Sequence, residues 1–214
     1  MTFLKKYGFH FMAIAVISEW VLPLVLAAFI PGYLQFTNLI SDFGEVGTPT
    51  HMAFKVWEVA NGLFFLLSAP TFYAYFKNTS KKLSSWFTTM LVIFSLTDCI
   101  FTGLFDRAAT SNTQNITGMI HNYSSGIGDT ALLISMFILL KLYRMQGKKT
   151  VATLLMGAFI ISLGIQFLFV YPRIMPDSQF KIPYRGLWQR LNLWLLYMPF
   201  LLISVKEIFK KQHS

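Results

Sequence analysis

The chain has 214 residues, of which 55% are hydrophobic and only 13% charged, and its net charge is +9. A soluble domain carries about 25% charged residues. The shortfall, with a mean hydropathy of +0.54, excludes disorder, a coiled coil and an ordinary soluble enzyme. The single cysteine, Cys99, excludes an intrachain disulfide and any Cys-based zinc site.

Six apolar segments stand at about 8–30, 52–76, 84–105, 118–143, 151–172 and 187–209, each long enough to cross a ~30 Å hydrocarbon core. No alternating barrel pattern is present, so backbone hydrogen bonding in lipid demands helices. The expected fold is an all-α integral membrane protein with one six-helix domain over 1–214 and both termini cytoplasmic.

The first segment follows Lys5 and Lys6, as a signal peptide would, but it is too long for a cleavable core and holds Glu19 and Pro23. It reads as a retained helix. The connection at 31–51, with its Gly and Pro turn formers, reads as an ordered cap over the helix ends. Segment two carries Lys55, Glu58 and Asn61 at helical spacing, and segment three carries Asp98 and Thr102 at i, i+4. Segment four carries His121, Ser125 and Asp129 at i, i+4, i+8, so one face presents all three. Segment five has no ionisable residue in its apolar core. Segment six opens with Arg190. Trp57, Trp188 and Trp194 fall near outer helix ends, where interfacial aromatics sit. Asn115-Ile-Thr and Asn122-Tyr-Ser match the weak glycosylation pattern. His10 and His213 lie at the cytoplasmic ends and read as inert.

Charge placement sets the orientation. Twelve of the 18 Lys and Arg lie at the termini and in the loops near 77–83 and 144–150. The positive-inside rule makes that side cytoplasmic, and its short loops suggest three helical hairpins closed there. The basic balance then faces anionic lipid, and no nucleic-acid partner is needed.

Four acids fall inside the segments, where an ionisable group costs roughly 2.5–3.5 kcal/mol on insertion scales and therefore turns inward. Glu58 and Asp98 would lie ~10 Å below the outer surface, and Glu19 and Asp129 ~16 Å below it. Against these four, Lys55 and Arg190 are the firm cations, so two acids remain for a proton, a metal or an amine. A polar cavity opening outward over an apolar floor is the expected result. Its candidate ligand-binding residues are Asp42, Glu58, Asp98, His121, Ser125, Asp129 and Arg190. His121 and Asp98 are the candidate acid/base pair. His51, Asp98 and His121 are the candidates for one divalent metal ion. No GxSxG, P-loop or HExxH motif is present.

The run Asn38-Leu39-Ile40-Ser41-Asp42-Phe43-Gly44, with Pro49 beyond it and Asn61-Gly62 in the next helix, resembles the start of a bacterial and archaeal membrane family, Domain of Unknown Function 998. Gly103-Leu104-Phe105-Asp106 followed by His121 is similar to that family's G-x-F-P then His pattern. Gly186-Leu187-Trp188-Gln189-Arg190-Leu191 is similar to its G-L-x-E-R-L. The family's Pro is Asp106 here and its Glu is Gln189, which removes any chemistry that Glu performs. The ISDxG loop also resembles the Frag1/DRAM/Sfk1 group, which implies a lipid-related role and remains an association.

Three function classes follow. The first is binding or processing of a lipid or small amphipathic molecule from the outer leaflet of a prokaryotic plasma membrane, with membrane lipids as partners. The second is a proton- or cation-coupled transporter, disfavoured by the absence of a repeat and by an inner half nearly free of ionisable groups. The third is a non-enzymatic sensor or partner subunit.

Overall fold

The computed structural model describes residues 2–107, 116–175 and 177–212. Its helices are α1 (Thr2–Ala27), α2 (His51–Phe76), α3 (Lys81–Leu104), α4 (Ile116–Met145), α5 (Lys149–Ile174) and α6 (Arg185–Gln212). Each holds a stretch long and apolar enough to cross a membrane. No strand occurs among the described residues, so the chain is an all-helical, multi-pass membrane protein. Asn115 and His213 lie outside the described residues.

Each helix packs against its sequence neighbours, and α6 returns to pack against α1, so the six form a closed ring in chain order. Short turns close α2–α3 and α4–α5 at the end that carries both termini. At the first, Ser80 caps α3 by accepting the Leu83 N–H. The third antiparallel pair is α1 with α6, which has no loop at that end. At the opposite end the connection after α1 folds over the ring as a cap around the short 3-10 turn Ile40–Gly44.

α1 stops at Ala27, short of the expected 30. The chain keeps turning to Ile30, but with i→i−3 bonds from Ala28, Phe29 and Ile30, the tightening common at helix ends. Trp57 is corrected: it is an interior residue, 8% exposed, and its indole N–H donates to Ser18. Asn122 lies within the span of α4 rather than in a loop.

Toward the termini the ring is filled by aromatic side chains. Phe65, Phe94 and Tyr197 form a triangle with ring centres 5.0–5.9 Å apart. Below it Phe72, Phe87 and Phe200 form a second, at 5.8–6.1 Å. α5 is the most lipid-exposed helix, and it is pinned to α6 by a Gln166–Asn192 side-chain hydrogen bond.

Candidate functional site

The polar site begins with an irregularity in α3. Over Ser95–Phe101 the helix widens into a π-helix, a form rare in general and frequent at functional sites. It contains Asp98 and Cys99, and Cys99 is buried. Nearby hydroxyls bond back to the disturbed backbone: Ser95 to Leu91 O at 2.7 Å, Thr97 to Ile93 O at 2.8 Å, and Thr102 to Cys99 O at 3.0 Å and to Asp98 O. Two glycines let the neighbouring helices close on this segment. A Cβ at Gly62 of α2 would sit 2.9 Å from the Cys99 Cβ, and one at Gly128 of α4 would sit 2.3 Å from the Asp98 Cβ.

Between these helices lies a narrow cavity of about 30 Å³, room for roughly one or two waters. Its walls are Glu19 of α1, Glu58 of α2, Asp98 and Thr102 of α3, His121 and Ser125 of α4, and Gln189 and Tyr197 of α6. Ile40 and Ser41 of the cap close the top. None of the described residues lining it is Lys or Arg.

Two side chains in this cavity are oriented by defined partners. Trp57 donates to Ser18, Ser18 donates to Asn61 Oδ1 at 2.8 Å, and Asn61 Nδ2 donates to Glu19 Oε1 at 2.5 Å. The chain of donors fixes which face of the Asn61 amide meets the carboxylate. His121 Nδ1 lies 3.0 Å from Phe105 O and 3.2 Å from Thr102 O. Both partners are acceptors, so Nδ1 carries a proton and the ring orientation is fixed from that side.

Of the residues singled out in the sequence, Glu58, Asp98, His121 and Ser125 line this one cavity. Asp129 is buried one turn further along α4 and is not among the lining residues. Asp42 belongs to the cap: its carboxylate accepts the Leu39 N–H at 2.8 Å and pairs with Arg107. Arg190 also serves the cap. Its Nη1 donates to Asn38 O at 2.8 Å and to Gly186 O at 3.0 Å, and its Nη2 donates to the Tyr33 hydroxyl at 2.7 Å. Burial raises the Tyr33 phenol above its usual range, and the Arg190 charge opposes that rise. His51 stands apart from Asp98 and His121, with its Nε2 2.8 Å from Asp106 Oδ1, and Lys55 binds the same oxygen. The Lys55 bond, seconded by His51, holds the Asp106 carboxyl below the usual carboxylate range.

Both cations of the sequence tally are thus engaged at the cap end. Asp106, which departs from the family pattern, is the residue that engages Lys55. Gln189, the other departure, accepts the Ile40 N–H at 2.8 Å and so ties α6 to the cap while lining the cavity. Cys99, Ser18 and Tyr197 were not foreseen as site residues. The signal for Cys99 and Ser18 is their adjacency to Asp98 and Glu19, which helical periodicity assigns to other faces; Tyr197 has no such neighbour.

These features define an all-helical, multi-pass membrane protein with a carboxylate-rich cavity beneath a folded cap. The family model described as Protein of unknown function (DUF998) matches residues 13–206, and the chain belongs to that family. No curated protein and no solved structure matches it.

Proposed function

We propose that this protein binds or processes a lipid or small amphipathic molecule from the outer leaflet of the plasma membrane, with both termini in the cytoplasm. The observation that carries the reading is the cavity itself: three carboxylates and an oriented histidine, with no lining Lys or Arg, under a cap and above two layers of rings. His121 Nε2 and the Asp98 carboxyl supply an acid/base pair to a polar head group.

A second feature supports an amphipathic ligand. Between α3 and α4, on the ring's outside, runs an apolar groove of about 400 Å³ lined by Met90, Ile93, Tyr123, Gly126, Ile127 and Ile134. It follows α4 for about 18 Å. His121 and Ser125 line the cavity while Asn122 and Gly126 line the groove, so a chain in the groove has its polar end one helix face from the cavity.

Mass spectrometry of lipid retained by the gently purified protein tests the reading. The wild type should hold one lipid class enriched over the source membrane. Gly126→Leu, His121→Ala and Asp98→Asn should lose that enrichment. A retained pool with the composition of the bulk membrane would overturn it. For the orientation, reporter fusions after Lys82 and Lys149 should read cytoplasmic, and an external signal after Lys149 would reverse it.

A further inference from the structure

We infer that Glu19, Glu58 and Cys99 form a binding site for one borderline-soft divalent metal ion of the zinc kind, in the wall of the cavity where α1, α2 and α3 meet. Each offers one ligand atom, and these atoms all lie within 4.8 Å of one another. Ligand atoms on a single tetrahedral zinc ion stand roughly 3.4–3.7 Å apart. Rotation of the carboxylates by about an ångström therefore closes the site, with no backbone movement.

Charge demands an occupant. Glu19 and Glu58 are each only 7% exposed, and two carboxylates this close in a dry interior repel. Lys55 and Arg190 are engaged by Asp106 and by the cap. Glu58 lines the cavity and has no hydrogen-bond or ion-pair partner among the described residues. A buried carboxylate aimed into a cavity without a partner is a ligand atom awaiting a cation or a proton.

The donor set favours a metal of defined type. Two carboxylates and one thiolate suit zinc, whereas calcium and magnesium take all-oxygen sets. The single cysteine argues against any Cys-based zinc site, but that reasoning covers sites of several thiolates and does not reach a mixed site, which needs only one. The outer support is also present. Asn61 holds Glu19 by Oε1, leaving Oε2 for the ion, and Asn61 is itself fixed by Ser18 and Trp57. Three protein ligands leave a fourth position open toward the cavity, where a bound water would meet His121.

The site deepens the proposed function, since it shares that cavity, but it is tested without any lipid. Protein purified from zinc-supplemented cells is analysed for metal, and then for cobalt(II) absorption after exchange. The wild type should carry about one zinc per chain and, with cobalt, a thiolate charge-transfer band. Glu58→Gln should fall to background. Cys99→Ser should lose the charge-transfer band while eluting as the wild type does on gel filtration. Asn61→Ala should weaken affinity roughly 10–100-fold. Asp106→Asn should change nothing. Wild type without metal, its carboxyls giving a protonated-acid infrared band that Glu58→Gln removes, would overturn the site in favour of bound protons. Metal retained by both Glu58→Gln and Cys99→Ser would overturn it equally. A metal-loaded protein with no selected lipid would remove the lipid reading and leave this site standing.

Discussion

Around Glu58 the helices pack polar atoms against each other; around Phe72, about 21 Å further along α2, they pack rings. In the ring half Phe65, Phe72, Phe76, Phe87 and Phe94 are each under 2% exposed, and their contacts require nothing beyond shape. Of the hydroxyls that intrude there, Ser68, Ser84 and Ser135 bond to backbone carbonyls at 2.6–2.9 Å, while the buried Ser204 Oγ has no hydrogen-bond partner among the described residues. In the polar half the buried groups need partners, and Glu58 has no hydrogen-bond or ion-pair partner among the described residues. Interlocking rings that need no partners join α2, α3 and α6.

The sharpest way to break this contrast is to exchange damage between the halves. Phe72→Ala removes ring contacts with Phe9, Phe87 and Phe200. It should lower stability by roughly 3–5 kcal/mol, as for a large-to-small core change, read by thermal unfolding in detergent. Compared with wild type stripped of metal by chelator, Glu58→Gln should leave that midpoint unchanged or raise it, because it neutralises a buried group with no partner among the described residues. If Glu58→Gln proves as damaging as Phe72→Ala, the division of labour is wrong.

A smaller effect is expected where the halves are joined by close backbone approach. Gly128→Ala puts a Cβ within 2.3 Å of the Asp98 Cβ. It should cost about 1–3 kcal/mol as overpacking, and it should displace Asp98 as well. The same substitution at Gly126, which has open space around its Cβ position, should be near neutral in the same assay.

The smallest effect belongs to the cap. The Asp106 carboxyl is held low, chiefly by Lys55. Its stabilisation is therefore complete above the ordinary carboxylate range and disappears as pH falls through the depressed value. Asp106 is partly exposed, so the contribution is about 1 kcal/mol or less. Asp106→Asn should lower the neutral-pH midpoint slightly and flatten that portion of the acid-side slope, so that variant and wild type converge at low pH in an unfolding-versus-pH series.

Sequence length and apolarity located all six helices, because a span in lipid has to be long, continuous and hydrogen-bonded within itself. The family was legible in three short runs at Asn38–Gly44, Gly103–Asp106 and Gly186–Leu191. The cost of burying an acid was enough to turn Glu58 and Asp98 toward one interior. Other features could not be read this way. Regular periodicity places Asp98 and Cys99 about 100° apart, and the π-helix that carries both has no sequence signature. Lys55 looked like a cavity cation because it stands one turn from Glu58; its actual partner, Asp106, lies in a loop whose path periodicity does not describe. Arg190 looked like an anion site, but it is held by the Asn38 carbonyl and the Tyr33 hydroxyl of the cap, 152 and 157 residues away in sequence, and by the Gly186 carbonyl one turn back in its own helix.

The proposed function makes the polar half a pocket closed by the rings rather than one end of a path. From Phe65 to Phe76 the aromatic floor is about 16 Å deep along α2. Purified protein in liposomes, loaded with a pH dye and then with cation-sensitive dyes under an imposed potential, tests it most directly. The expected result is no net proton or cation flux above protein-free liposomes, for the wild type and for Asp129→Asn alike. Flux in the wild type that Asp129→Asn abolishes would contradict the claim and make the protein a transporter.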